Sequence, residues 1–455
     1  MLNTMKRKVL YFFGIFLFLT LLQSCSSSGN VLTPDSERDL PLFYQKYYSD
    51  QDPQLQPGQL ALYVDYSTCI AEGQHSAFFQ ALVPSWQAAA KSYYSIEGSE
   101  IQAHDADSIY VLLRTIQEKN YADLKTAAER IANGDVEGVL LTDGEYYQPS
   151  VAKGNVNNPY LTEAFKTWLK KGHDVYILME PYTEMSNGRA FQKKRFYFLF
   201  TDHRLTDNIY SRVMQTVRLS DYPGVEGFHL SAYDPKLASL NGRGLSVDVG
   251  LSPKISIISD SGELQDWQVD WSSVIEPLFV FGVDSLGNAT SQGVDFASGL
   301  SVDRNSLGGY RIASVKAKVF NINQEYTDFV AAKESKQPVP LEISPVECEN
   351  FIQVSNKAFS ERGEIRLRFD REMYNPDYVL TGSPFNYFVI QVCVDHIEPL
   401  FAESAPLFTF ESIDLPGQRN VSVAASIEQC LVDPEIKSLI LQRPIYTILV
   451  KANQK

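Results

Sequence analysis

The sequence is short of cysteine, of histidine and of positive charge. Its 455 residues include five cysteines and six histidines, and 40 basic residues face 55 acidic ones, which gives a formal net charge of −15. No CxxC pair occurs, so we expect no structural zinc site. Because a negatively charged protein repels the phosphate backbone, we expect no nucleic-acid partner.

The common catalytic signatures are also absent. The chain contains no HExxH, no GxSxG and no phosphate-binding P-loop. A nucleophilic serine such as Ser67 would need a positioned base, for which only the scattered histidines, such as His75 or His104, are at hand. The sequence therefore leaves an enzymatic activity open but favours a protein that is not an enzyme.

Long apolar runs are missing except at the N-terminus. Lys6, Arg7 and Lys8 precede an apolar run over 9–22, which is shorter than the roughly 20 residues of a spanning helix and typical of a signal peptide. The run ends in "LLQSC", which resembles the lipobox of bacterial lipoproteins. We expect residues 1–24 to be the signal peptide and Cys25 to be lipidated, which would anchor the protein to a membrane of the cell envelope. An ordinary cleaved signal or an uncleaved anchor are the alternatives.

Four further cysteines would lie in an oxidising compartment if Cys25 is acylated. Any two of Cys348, Cys393 and Cys430 could form a disulfide, and the sequence does not choose among the pairs.

Patterning divides the rest of the chain into three parts. Residues 25–58 are a polar tether, and we expect its aromatic cluster "LFYQKYY" to pack on the first domain. Residues 59–235 alternate strands with helices, which predicts an α/β domain with a doubly wound, mainly parallel sheet. Residues 241–455 lose the helical pattern, which predicts an all-β region of one or two sandwich domains.

Two predicted strands of the α/β domain end in acidic residues. Asp65 follows "ALYV", and Asp143 follows "VLLT". Because ligands bind beyond the carboxyl ends of strands in open α/β sheets, we expect both carboxylates at one edge. Two nearby carboxylates need a cation or a shared proton. With neighbouring hydroxyls they would form an oxygen-only site suited to Mg²⁺, or to Ca²⁺ or Mn²⁺.

The stretches "DYSTC" and "LLTDG" together resemble the von Willebrand factor A family. The resemblance covers about residues 59–235 and implies a doubly wound α/β fold with a metal-ion-dependent adhesion site. It assigns Asp65 and Ser67 to the first two motif positions, and Asp143 to the acid that follows a later strand. In this family the metal ion binds an acidic side chain of a partner protein.

The match departs from the family pattern at two positions. Cys69 stands where the family has its second motif serine, and a neutral thiol is a poor ligand for a hard cation. The middle-loop hydroxyl of the family is assigned to Ser108, in the stretch "HDADSIYVLLRT".

These observations predict a lipid-anchored envelope protein that binds another protein through the strand-end face of its α/β domain, with a possible dependence on a metal ion. A metal-dependent hydrolase that uses the same residues is one alternative. A metal-free scaffold lipoprotein, in which the metal site has decayed, is the other.

A stretch of three cations, Lys193, Lys194 and Arg195, stands beside aromatic residues in "QKKRFYFLF". Charged side chains of this kind are common on edge strands. The three cations are therefore interpreted as ordinary strand-edge charges rather than as a binding site.

Overall fold

A computed structural model describes most of the chain after residue 38. The described residues are 39–48, 59–115, 122–146, 156–202, 204–205, 207–232, 258–259, 262–263, 268–270, 278–282, 294–302, 304–305, 309–348, 351–369, 385–442 and 444–453. Cys25 and the predicted signal peptide lie outside these ranges. Within them, no helix is both long and apolar enough to cross a membrane.

The first region is an α/β domain built on seven strands. These are β1 (Leu60–Asp65), β2 (Ala90–Glu97), β3 (Glu100–His104), β4 (Gly138–Thr142), β5 (Asp174–Ser186), β6 (Arg189–Thr201) and β7 (Glu226–Ser231). After an N-terminal helix α1 (Leu40–Tyr47), the helices are α2 (Thr68–Gly73), α3 (Ala77–Ala89), α4 (Ala106–Leu112), α5 (Leu124–Asn133), α6 (Thr162–Lys170) and α7 (Ile209–Thr216), with a 3-10 turn at Leu219–Asp221.

The strand order in this sheet is β3-β2-β1-β4-β6-β5-β7. Strand β1 pairs in parallel with both β2 and β4, and the other pairings are antiparallel. The α/β class is therefore confirmed, but the sheet is mixed rather than mainly parallel.

The antiparallel half arises from one long hairpin. Strands β5 and β6 pair along their whole length and are joined by Asn187 and Gly188, whose φ values are 51° and 74°. Two consecutive residues with positive φ form the hairpin turn whose twist matches that of the strands. The hairpin places β6 between β4 and β5, in the interior of the sheet, so its three cations are not charges of an edge strand.

Helices cover both faces of the sheet because each presents an apolar stripe. In α5, Leu124, Ala128 and Ile131 recur at helical spacing and are buried, as are Phe165 and Trp168 in α6. Helices α3, α4 and α7 bury their apolar residues in a second cluster with the other faces of β1 and β4.

The second region combines two sheets with helices. Its strands are β8 (Ile258–Ser259), β9 (Gly262–Glu263), β10 (Gln268–Asp270), β11 (Leu278–Gly282), β12 (Val294–Ser301), β13 (Tyr310–Asn321), β14 (Val346–Glu347), β15 (Ile352–Val354), β16 (Glu364–Phe369), β17 (Phe385–Pro399), β18 (Phe410–Glu411), β19 (Arg419–Asn420) and β20 (Pro444–Asn453). One sheet has the order β10-β11-β20-β17-β13-β14 and another the order β15-β16-β12-β8-β9, while β18 pairs with β19.

The second region is rich in β-strands, as expected, but it also contains helices and is therefore not all-β. It contains α8 (Asn323–Glu334), α9 (Asn356–Arg362), α10 (Phe401–Ser404), α11 (Ser422–Val432) and α12 (Pro434–Gln442), with a 3-10 turn at Ala405–Phe408. The stretch "NVSVAAS", whose sequence pattern predicts a strand, instead contributes the start of α11. A short run of apolar and small residues does not distinguish a strand from a buried helix.

The two regions share one continuous hydrophobic core, which includes residues from α5 and α6 as well as from β13, β17 and α11. Polar contacts join them too. The hydroxyl of Ser422 accepts from the backbone N–H of Asn158 at 3.0 Å, and that of Ser426 accepts from Leu161 N–H at 3.1 Å. The predicted domain boundary, between 235 and 241, lies outside the described residues.

Helix α1 packs on the second region, not on the first domain as we expected. The Phe43 ring lies 5.3 Å from that of Tyr326 and 5.4 Å from that of Phe329. The Tyr44 hydroxyl donates to the carbonyl oxygen of Thr447 in β20 at 3.1 Å. The part of the predicted tether that the structure describes is thus fixed to the C-terminal sheet.

The four cysteines among the described residues, Cys69, Cys348, Cys393 and Cys430, are buried free thiols. None of the disulfide pairs that the sequence left open is formed among them.

Candidate functional site

The carboxyl ends of β1 and β4 bring Asp65 and Asp143 to one edge of the sheet. Val64 pairs with Leu141 in the parallel ladder, so the next residues on both strands are neighbours. Asp65 and Asp143 are both buried. The charge of Asp143 acts on Asp65, so the two acids lie near each other at this edge, as the strand pattern predicts.

Asp65 is held by a hydroxyl from the neighbouring strand. Thr142 Oγ1 donates to Asp65 Oδ2 at 2.7 Å, and the same hydroxyl accepts from the backbone N–H of Gly144 at 3.0 Å. The other oxygen, Asp65 Oδ1, is buried and accepts no hydrogen bond of ordinary geometry from the described part of the chain. Burial, followed by the charge of Asp143, raises the pKa of Asp65 well above its ordinary value, against the hydroxyls of Thr142 and Ser67. This favours a protonated Asp65.

Ser67 lies at the start of α2 and is turned toward a thiol. Its Oγ lies 3.1 Å from the Sγ of Cys69, and both side chains are buried. Burial and the nearby carboxylates raise the pKa of the Cys69 thiol, so it stays neutral. A neutral thiol does not replace the hydroxyl ligand of a hard cation.

The structure does not bring Ser108 to this edge. Strand β3 runs antiparallel to β2, and His104 at its end pairs with Tyr93 near the start of β2. The chain thus leaves β3 at the end of the sheet opposite to Asp65. Ser108 lies exposed in the first turn of α4, where its N–H donates to the Asp105 side chain at 2.7 Å.

The loop between α4 and α5 does reach the Asp65 edge. Ala122 forms β-bridges to Gly98, which follows β2, and to Tyr146, which follows β4. Residues 116–121, which lead into this crossing, lie outside the described residues.

A buried lysine occupies the strand-end site. Lys193 of β6 places its Nζ 2.8 Å from Glu145 Oε1 and 3.5 Å from Asp143 Oδ2, and its side chain is 0% exposed. Although burial opposes the charged form, Asp143 and Glu145 raise the pKa of Lys193 above its ordinary value. Burial raises the pKa of Glu145 to about 7, while Lys193 opposes this shift. The ammonium group is thus the positive charge that the carboxylates require.

A second buried cation stands two residues along the same strand. Arg195 donates from Nε and Nη2 to the carbonyl oxygen of Cys69, at 2.9 and 2.7 Å. Its Nη1 lies 2.6 Å from Glu180 Oε2, which also accepts from the Tyr197 hydroxyl at 2.6 Å. The Ser76 hydroxyl donates to the other oxygen of Glu180. This network fixes the first turn of α2 to the central hairpin.

The C-terminal region covers the site. The Phe410 ring centroid lies 4.7 Å from Lys193 Nζ, and Glu411 accepts from the backbone N–H of Gln192 at 2.9 Å. A side chain added at Gly144, whose φ is +76°, would meet Phe196 at 2.9 Å and Val423 at 3.3 Å. The strand-end face is therefore packed within the chain rather than open at the surface.

The donor set does not fit the divalent cation that the family resemblance implies. Asp65 Oδ1 would suit such an ion, but Asp143 Oδ2 faces an ammonium group and Cys69 supplies no oxygen. Within the described ranges, no group of three or more His, Cys, Asp or Glu side chains is arranged to hold a metal. A cation placed here would also be repelled by Lys193.

Sequence reasoning missed the residues that dominate this site. Lys193 and Arg195 point inward because alternate residues of a strand share one face, and the intervening Lys194 reaches the carbonyl oxygens of Pro406 and Leu407. The stretch "QKKR" shows the adjacent cations in the sequence, but only the strand order shows that β6 is a central strand. Thr142 was visible in "LLTDG" and was not singled out.

No protein-family model, curated protein or solved structure matches this chain at a significant level.

Proposed function

We propose that this chain is a lipid-anchored scaffold protein of the cell envelope, which binds another protein without using a metal ion. The absence of a metal ion is proposed from the position of Lys193, whose buried ammonium group lies beside both Asp143 and Glu145. Two like charges at close range need a compensating charge, and here the chain supplies it. The shared core of the two regions supports a rigid scaffold.

The hydrolase alternative has less support. The Ser67 hydroxyl contacts a thiol, and the candidate bases lie elsewhere: His104 Nε2 is 2.7 Å from the Ser95 hydroxyl, and His75 is exposed. A serine nucleophile requires a base within hydrogen-bonding distance.

Thermal unfolding of the purified full chain in detergent tests the metal-free proposal. The midpoint should be the same in EDTA and after addition of Mg²⁺, Mn²⁺ or Ca²⁺, because an ion raises the midpoint only if the native state binds it. A midpoint that rises with one of these ions, and no longer rises in Asp65→Ala, would overturn the proposal.

Two measurements test the anchor and the partner. The wild-type chain should partition into detergent and incorporate a labelled fatty acid, and Cys25→Ala should do neither. A protein that co-purifies in stoichiometric amount from solubilised envelopes should stay bound in EDTA. If it dissociates in EDTA and rebinds with Mg²⁺, the metal-dependent adhesion reading is the better one.

A further inference from the structure

Lys193 and the two carboxylates beside it form a closed arrangement. Nζ lies 2.8 Å from Glu145 Oε1 and 3.5 Å from Asp143 Oδ2. Lys193 belongs to β6, and the two acids lie in the turn that follows the adjacent antiparallel strand β4. The exposed fractions of the Lys193 and Asp143 side chains are 0% and 11%. An amine and a carboxyl group are thus held together away from bulk water.

The remaining contacts of Asp143 are those that an acyl-transfer site needs. Its Oδ1 accepts from the backbone N–H of Glu145 at 2.9 Å, while its Oδ2 faces Nζ. A fixed N–H donor on one oxygen stabilises the negative charge that would develop there if an amine attacked the carboxyl carbon. The other oxygen is then the leaving group.

Glu145 is placed to move protons between the two reacting groups. Its Oε1 lies 2.8 Å from Nζ, a separation short enough for a proton to pass between the two atoms. The Phe410 ring centroid lies 4.7 Å from Nζ and helps to bury the lysine, whose side chain is 0% exposed, while that of Glu145 is 26% exposed. Water exclusion matters because the condensation of an amine with a carboxyl group releases water, and bulk water would reverse it.

We propose that Lys193 and Asp143 join in an intramolecular isopeptide bond, with Glu145 as the proton carrier. The Nζ–Cγ bond forms and the Cγ–Oδ2 bond breaks. Of the three ammonium protons, one stays on the amide nitrogen and two leave with Oδ2 as water. Glu145 carries these two protons one after the other from Nζ to Oδ2, so it is unchanged at the end. No group is oxidised or reduced, and no cofactor takes part.

The fixed proximity of the amine and the carboxyl group favours this step, because groups held in contact react as if present at very high concentration. The inference rests on the proposed metal-free site and deepens it. The bond would convert Asp143 from a carboxylate into an amide and would remove the charge of Lys193, so the site could not later accept a cation. It would also tie the end of β4 to the central strand β6.

Peptide mapping of the full chain by mass spectrometry tests the bond. Trypsin does not cut after an acylated lysine, so residues 131–153 should remain joined to residues 190–194. The joined pair should be lighter than the sum of the two peptides by one water molecule. Fragmentation should place the link between Asp143 and Lys193. Complete recovery of the two peptides unlinked would overturn the inference, as would a link from Lys193 to Glu145.

Variants and an internal control make the result specific. Asp143→Asn should give the same link with loss of ammonia instead of water, and Lys193→Arg should give no link. Glu145→Gln should slow or prevent it, and equal linkage in that variant would remove Glu145 from the mechanism. The half-buried pair of Lys166 and Asp433, at 2.8 Å with exposed fractions of 16% and 17%, should stay unlinked in the same digest. Failure of the link would leave the thermal test of the metal-free site unaffected.

Discussion

Thr142 Oγ1 donates to Asp65 Oδ2 at 2.7 Å and so ties the ends of two neighbouring parallel strands together. The same hydroxyl accepts from Gly144 N–H, which begins the turn that carries the candidate site away from β4. One buried side chain thus satisfies a carboxyl group and a backbone amide. Without it, each of these two groups would lack this partner inside the core. An unsatisfied buried polar group costs more free energy of folding than one hydrogen bond contributes.

Thr142→Val should destabilise the chain by roughly 1–3 kcal/mol, because it leaves buried polar groups unpaired at constant side-chain volume. Chemical denaturation measures the change. Thr201→Val is the matched control, since Thr201 is equally buried but donates only to the Leu199 carbonyl oxygen at 3.2 Å. Equal losses in the two variants would show that the bridge between Asp65 and Gly144 has no special weight.

Lys193→Ala should destabilise the chain by about 3–5 kcal/mol, because it leaves buried carboxylates without their counter-charge. The same variant should gain a dependence on divalent ions: Mg²⁺ or Mn²⁺ should raise its thermal midpoint but not that of the wild type. Lys194→Ala, which removes the neighbouring cation from the other face of β6, should show neither effect. A Lys193→Ala variant as stable as the wild type, with no response to metal, would contradict this account of the site.

Glu137 should make stability fall as pH rises. Burial raises its pKa from 4.5 to about 7, although its carboxylate accepts backbone N–H groups of Asp202 and Ile209 at 3.1 Å. The folded state therefore binds this proton more tightly than the unfolded state does. Its stabilising contribution is complete below the unfolded pKa of 4.5 and is lost as pH rises toward 7, on the order of 3 kcal/mol in all.

Glu137→Gln should flatten that part of the pH profile, because the amide has no proton to lose in this range. Denaturant titrations at several pH values between 4.5 and 8 measure the slope, and Glu129→Gln in α5, where the side chain is 38% exposed, serves as the control. An unchanged slope in Glu137→Gln would assign the pH dependence to another group.

Gly363→Ala should be more damaging than Gly188→Ala. Both glycines have positive φ, 68° and 74°, so both variants bear the left-handed backbone cost of roughly 1–2 kcal/mol. A Cβ at Gly363 would also lie 2.3 Å from the carbonyl oxygen of Val302, whereas a Cβ at Gly188 meets nothing within 4 Å. Thermal unfolding of the two variants should separate the cost of the clash from the backbone cost, and equal midpoints would contradict the predicted clash.

Ser426→Ala should weaken the joint between the two regions. It leaves the N–H of Leu161 without its acceptor at the start of α6, at a cost of about 1–3 kcal/mol. Because the core is shared, the loss should appear as a shift of one cooperative transition, observed by differential scanning calorimetry. Ser438→Ala, on an exposed stretch of α12, should have little effect. Two separated transitions would show that the regions unfold independently.

The meeting of Asp65 and Asp143 could be predicted because it follows from a local rule: strands in parallel register end at the same edge. The strand order could not be predicted, because the position of β6 depends on its pairing with β4, which is distant in the sequence. For the same reason Lys193 and Arg195 looked like edge charges, although they are buried beside the carboxylates. Ser108 was misplaced in space because the reversal at β3 carries the chain to the other end of the sheet.

The helices of the second region were missed for a different reason. In α11, Ser422 and Ser426 are four residues apart. Their hydroxyls accept from the backbone N–H groups of Asn158 and Leu161, which precede α6 in the other region. Read alone, the alternation of polar and apolar residues there favours a strand. The contacts that make it a helix come from residues more than 260 positions away.

Strand β20, the last described element of the chain, lies inside its sheet between β11 and β17. Helix α1, at the other end of the described chain, rests on that same sheet through Tyr44 and Thr447. A chain emerging from the ribosome or from a secretion channel therefore cannot complete this sheet until β20 has appeared. Such long-range pairing is slow and leaves β11 and β17 without their common neighbour for the whole of that time. We expect the nascent chain to depend on a chaperone until residue 453 has been released.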